Sequence, residues 1–149
     1  ERDGVKIGGA GNDYAGYSRV VVRESVARDC RFDDMEETAR KWMKVIREKE
    51  NPDLVIGLFH AGQDAFVMSG KYNENASLNV AKNVPGFDMV LMGHDHTREC
   101  VKVQNVAGDS VLVIDPANNA NVVSGCDPDR NKERRESRWR SRWRADWRI

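Results

Sequence analysis

The sequence predicts an α/β domain built on a parallel sheet, and three observations predict it. Two apolar runs, Leu54-Val55-Ile56-Gly57-Leu58-Phe59 and Met89-Val90-Leu91-Met92, have the length of buried strands and are bounded by turn residues. Stretches with helical character precede the first run and separate it from the second, which is the order of a βαβ arrangement. Both runs end in histidine-bearing loops, at the sheet edge where open α/β sheets bind ligands.

Size and composition narrow the classes. A chain of 149 residues supports one domain with a real core and not comfortably two. The apolar share of 40% and the charged share of 32% fit a soluble protein. Net charge is zero but uneven: from Cys126 to Ile149 nine Arg/Lys stand against five Asp/Glu, so the tail is about +4 and the rest about −4. No apolar run approaches the roughly 18 residues of a membrane span. The start, Glu1-Arg2-Asp3-Gly4, carries no signal-peptide pattern and reads as the middle of something longer. Cys30, Cys100 and Cys126 are widely spaced without a CxxC, which indicates neither a disulfide framework nor a zinc knuckle.

In chain order, Gly4-Val5-Lys6-Ile7 begins a strand, and the pattern then breaks: residues 8–30 hold four glycines in their first nine positions. Gly8-Gly9-Ala10-Gly11 lacks the spacing of a phosphate-cradling loop. Tyr17-Ser18-Arg19-Val20-Val21-Val22 could form a short edge strand. From Arg31 the sequence is orderly. Asp33 or Asp34 caps a helix, and Glu36 and Glu37 complement the dipole in its first turn. Met35, Ala39, Trp42 and Ile46 form one apolar stripe for packing on the sheet, and Asn51-Pro52 ends the helix. Residues 54–59 are continuously apolar, as in a strand buried on both faces, and deliver His60-Ala61-Gly62-Gln63 to the sheet edge. A polar, irregular stretch over 63–75 leads to a short helix over 75–82. The strand at 88–92 then ends in Gly93-His94-Asp95-His96, where the glycine permits a sharp turn. Residues 100–106 and 110–114 alternate around Ala107-Gly108-Asp109 as a hairpin, and Asn121-Val122-Val123-Ser124 starts one more strand.

The chain has only three histidines, and each follows a buried-looking strand rather than sitting inside one. Imidazole ligates Zn, Mn, Fe or Ni, so a metal or phosphate site at His60, His94 and His96 is favoured over three merely exposed side chains.

Pro52 to Gly62, then Val84-Pro85-Gly86-Phe87-Asp88-Met89-Val90-Leu91-Met92-Gly93-His94-Asp95-His96-Thr97, resemble the calcineurin-like metallophosphoesterases, in particular the bacterial 5′-nucleotidase and 2′,3′-cyclic-nucleotide phosphodiesterase branch. The resemblance covers residues 31–124 and 1–7, and corresponds to the C-terminal half of the metallophosphoesterase domain. It implies an α/β/β/α sandwich, present here in part, with two divalent metals. His60 and His94 would bind one ion and His96 the other, and Asp95 would orient the loop. Metal-activated water would hydrolyse a phosphomonoester or cyclic phosphodiester of a nucleotide or other small substrate. The family's parent proteins are usually exported to the periplasm or cell surface.

The family also has an upstream Asp-x-His, Gly-Asp-x-x-Asp and Asn-His-Glu/Asp, and none is in this sequence. The expectation is therefore a partial domain over 1–124, inactive by itself, with apolar strand faces open to water and a tendency to self-associate. Two stretches fit the family better when read one nucleotide later, 8–30 and the sequence from Gly125, so a frameshift is expected at each. The tail over 125–149 repeats Ser-Arg-Trp-Arg at 137–140 and 141–144, with Trp139, Trp143 and Trp147 four apart. Out-of-frame, disordered sequence is its expected character. The alternative is a non-catalytic metal- or anion-binding chain whose Arg/Trp tail stacks on nucleic acid or lies on an anionic surface.

Overall fold

The chain was described in a computed structural model, which covers residues 4–13, 33–63, 74–128 and 139–145, with only the backbone considered at 13, 125–128 and 139–145. The edge strand expected at 17–22, most of the irregular stretch over 63–75, and tail residues 129–138 and 146–149 lie outside the described residues.

Five strands form the main sheet: β1 (Ile7–Asp13), β2 (Leu54–His60), β3 (Met89–Met92), β4 (Arg98–Gln104) and β5 (Ser110–Pro116). Their order is β1-β2-β3-β5-β4. The first four positions are parallel, and β4 closes the sheet antiparallel to β5 as the expected hairpin. The turn between them is built on Asn105, whose side-chain oxygen accepts the N–H groups of Ala107 and Asp109 at 2.9 Å each.

The glycine-rich stretch does form a strand. Ile7 to Asp13 pairs residue for residue with Leu54 to His60. Backbone hydrogen bonds suffice for pairing, but Gly9 and Gly11 contribute nothing to either face of the sheet. Gly8 is different: a Cβ there would lie 2.9 Å from the Pro52 ring, so the chain at the end of the first helix packs directly on its backbone.

Two helices, α1 (Met35–Val45) and α2 (Ser77–Asn83), share one core cluster with Val55, Phe59, Val90, Met92, Val111 and Val113. Those strand residues alternate along β2, β3 and β5, so both helices cover the same sheet face. Met89, Leu112 and Ile114 form a second cluster on the opposite face. Asp34 caps α1, accepting the Glu37 N–H at 2.9 Å. The helix widens to a π turn over Ile46–Glu50 and stops at Asn51, which takes a left-handed conformation at φ 39° and donates to the Ile46 carbonyl.

Two expectations need correction. The buried stripe of α1 is Met35, Ala39 and Met43, while Trp42 is 50% exposed. The positions four apart face the sheet, and Met43 reaches Gly86, whose missing side chain leaves room for the sulfur. Nor is β2 buried on both faces: Val55, Gly57 and Phe59 are buried, but Leu58 is 54% exposed. It sits opposite Gly11 in the flanking strand, and a glycine offers it no cover.

A two-stranded antiparallel sheet of β6 (Val122–Pro128) and β7 (Trp139–Ala145) follows. Residues 139–145 are thus extended and paired, where disorder was expected. Among the described residues no helix is long and apolar enough to cross a membrane.

Candidate metal centre

The parallel strands β2 and β3 run side by side, Phe59 opposite Met92, so their C-terminal loops emerge together. The loop after β3 is anchored at once, because the Gly93 N–H donates to the Phe59 carbonyl at 3.1 Å. This brings His60 and His94 together, with ring centroids 5.5 Å apart and planes at 77°. His96, two residues on, is exposed on the same loop.

The sharp turn is not made by Gly93, as the sequence suggested. The positive backbone angles fall on the histidines themselves, φ 95° at His94 and φ 56° at His96. A non-glycine residue at positive φ is uncommon and costs about 1–3 kcal/mol when strained, and such residues cluster at functional sites. The strain here is carried by the two residues with the most distinctive chemistry in the loop.

Gly62 joins the two loops. Its N–H donates to the Glu74 carbonyl at 2.8 Å, and its own carbonyl accepts the Ser77 N–H at 3.2 Å. Ser77 Oγ, fully buried, donates to the Ala61 carbonyl at 2.8 Å. Asp95 Oδ2 accepts the Gln63 N–H at 2.5 Å, tying the β3 loop to the β2 loop. Asp95 thereby orients the loop. A β-carbon at position 62 would lie 2.1 Å from Asp95 Oδ1 and 2.2 Å from Asn75 Oδ1, so any other residue there must displace both side-chain tips.

Two acidic residues at this edge were not singled out from the sequence. Glu74 Oε2 stands 3.7 Å from His94 Nε2, too far for a hydrogen bond. Asp115 ends β5, fully buried, with Oδ1 accepting the Ala117 N–H at 2.8 Å and Oδ2 unpartnered among the described residues. Burial pushes its carboxyl above the ordinary range, against the pull of the Ala117 N–H. A charged residue closing an otherwise apolar strand, Val111-Leu112-Val113-Ile114-Asp115, was the available signal.

The donor set can be compared with what a metal needs. Two imidazoles holding one ion at about 2.1 Å, at a near-tetrahedral angle, have ring centres about 5 Å apart. The His60–His94 spacing of 5.5 Å is of that size, and it is equally that of an edge-to-face ring contact. No group of three or more His, Cys, Asp or Glu side chains among the described residues is arranged to hold one.

No protein-family model matches the chain. The trifunctional nucleotide phosphoesterase protein YfkN of Bacillus subtilis is 36% identical over 66 residues, 44% of this chain and 4% of that protein. A 2′,3′-cyclic-nucleotide 2′-phosphodiesterase/3′-nucleotidase of Yersinia enterocolitica is likewise 36% identical over 66 residues, 43% of this chain and 9% of that protein. The chain thus spans less than a tenth of the length of either relative. By fold it is similar to the NAD nucleotidase NadN of Haemophilus influenzae, with a TM-score of 0.68 at 19% identity, covering 85% of this chain and 23% of that one. A 5′-nucleotidase precursor from Thermus thermophilus matches with a TM-score of 0.62 at 19% identity, over 76% of this chain and 23% of its own. Sequence over one segment is thus similar to nucleotide phosphoesterases, and the fold over most of the described length is similar to part of the 5′-nucleotidase fold.

Proposed function

We propose that this chain carries one side of the metal centre of a phosphoesterase acting on nucleotides. The observation behind the proposal is the convergence of His60 and His94 at the C-terminal edge of a parallel sheet, 5.5 Å apart, with the backbone of His94 in a strained conformation. His60 and His94 would hold one divalent ion, and His96 would face the second. Bound metal would supply charge stabilisation for the phosphate and an activated water as nucleophile. The residues' own part is to hold this edge in shape: Asp95 clamps the two loops, and Gly62 lets the α2 end of the sequence close over them. Glu74 adds negative charge beside His94.

With three histidines and none of the upstream aspartate, asparagine and histidine motifs, the polypeptide as it stands is inactive alone. Its domain runs over 1–124, and the stretches over 8–30 and 125–149 come from out-of-frame reading. The parent is an exported enzyme, and the truncated domain self-associates.

The encoding DNA and one assay test this reading together. Hydrolysis of AMP and of 2′,3′-cyclic AMP with added Mn²⁺ is expected to be absent for the chain itself. It should appear when a one-base correction before codon 31 and the upstream sequence are restored. Turnover by the uncorrected chain, or DNA in which no single-base slip opens a family-like frame, contradicts the proposal.

A further inference from the structure

The second sheet sorts the Arg/Trp repeat by face. Successive residues of a strand alternate between the two sides of the ladder, so Arg140, Arg142 and Arg144 of β7 share one face and Trp139 and Trp143 the other. The register with β6 completes both faces. Arg144, Arg142 and Arg140 stand opposite Val123, Gly125 and Asp127, while the tryptophan face takes Val122, Ser124, Cys126 and Pro128 from β6. One face thus holds three cations against one carboxylate, and no charged residue of either strand falls on the other.

The side chains at the start of β6 tell which face meets water. Val123, on the arginine face, is 54% exposed. Val122 and Ser124, on the tryptophan face, are part-buried, and Ser124 Oγ is shut off from solvent. The cationic face is therefore the open one. Asp127 offsets Arg140 across the ladder, but Arg142 and Arg144 have only Gly125 and Val123 opposite them. Strand geometry sets the three arginine positions about 7 Å apart in a straight row. Like charges in a row repel, and a row of anions relieves the repulsion.

We infer that this face binds the phosphodiester backbone of nucleic acid, through phosphates and without reading bases. A polynucleotide is a linear series of anionic phosphates, and guanidinium groups match phosphate in geometry as well as charge. The division of faces also says how binding does not occur. A strand held by the arginines lies across the ladder from Trp139 and Trp143, so bases have no indole to stack on there. An anionic bilayer would need the tryptophan face to insert, and at Val122 and Ser124 that face is the covered one. This surface belongs to the polypeptide as it stands and depends neither on the metal-centre reading nor on the origin of its codons.

Fluorescence anisotropy of labelled oligo(dT), titrated with the whole chain over a series of salt concentrations, tests the inference. Each phosphate neutralised on a single strand contributes about −0.7 to the slope of log affinity against log salt. Arg142→Gln with Arg144→Gln should therefore flatten the slope by about 1.4. Arg142→Lys with Arg144→Lys should keep the original slope, which separates lost charge from a lost fold. Ser141→Arg with Arg142→Ser moves one cation across the ladder at constant composition and should flatten the slope by about 0.7. Unchanged affinity and slope in that exchange would mean that tail charge alone suffices, and would overturn the inference. So would failure of the Lys pair to keep the slope, or no binding of oligo(dT) at low salt. Binding to phosphatidylglycerol vesicles in place of oligo(dT) overturns it in favour of a membrane surface.

Discussion

At the scale of single residues, Gly62 decides whether the two histidine loops can meet. Asp95 Oδ1 and Asn75 Oδ1 already occupy the place of a β-carbon at 2.1 and 2.2 Å. Gly62→Ala must displace them and should cost about 1–3 kcal/mol, read as a lowered denaturant midpoint. Asp88 makes a different kind of prediction. It accepts the Val55 N–H at 2.8 Å, and burial raises its carboxyl above 3.8 against the pull of that hydrogen bond and of Arg47. The folded protein therefore holds this proton more tightly than the unfolded chain does. The stability so gained is complete below the ordinary value and is lost as pH rises through the raised one. Asp88→Asn should flatten that part of the profile, which unfolding midpoints between about pH 3 and about pH 7 would show. The site histidines were legible at this scale because their types and places are chemical signals. Their left-handed backbone was not, since the neighbouring Gly93 advertises the turn that His94 in fact makes.

Among the elements, α1 separates pattern from packing. Its cap could be narrowed to Asp33 or Asp34 and its stop read at Asn51-Pro52, because caps depend on local hydrogen bonding. Which of Trp42 and Met43 faces the sheet could not, because both continue an acceptable helical stripe and the choice lies with Gly86 on the partner surface. Met43→Ala should cost about 2–5 kcal/mol, as for other large buried residues. Trp42→Ala, at a half-exposed position, should cost about 1 kcal/mol or less. Chemical denaturation of the two variants side by side checks the assignment. Strand β1 teaches the converse lesson. Its glycines argued against a strand on propensity, yet β2 supplies a full parallel ladder, and tertiary pairing overrode the local preference.

For the molecule as a whole, the five-stranded sheet has a helix-covered face and a face that is only partly filled. Met89, Leu112 and Ile114 are buried there, whereas Ile7 and Leu58, nearer the β1 edge, are 46% and 54% exposed. The expected exposure of strand faces thus holds for β2 and fails for most of β3, where Met89, Val90 and Met92 are buried. Exposed apolar side chains beside a strand edge favour association. Sedimentation velocity should show concentration-dependent self-association, and Leu58→Thr should reduce it with a stability change of about 0.5 kcal/mol or less. The parallel βαβ arrangement, the hairpin and the meeting of the β2 and β3 loops were legible from strand, helix and loop succession. The arrangement of the stretch after residue 124 was not, because its Arg/Trp repeat supports several conformations equally.

The central claim is that His60 and His94 form a metal-binding pair, and calorimetric titration of the chain with Mn²⁺ tests it most directly. The account predicts saturable binding that His94→Ala weakens at least about tenfold while a surface change such as Trp42→Ala leaves it unaltered. Absence of binding, or binding indifferent to His94, would contradict it.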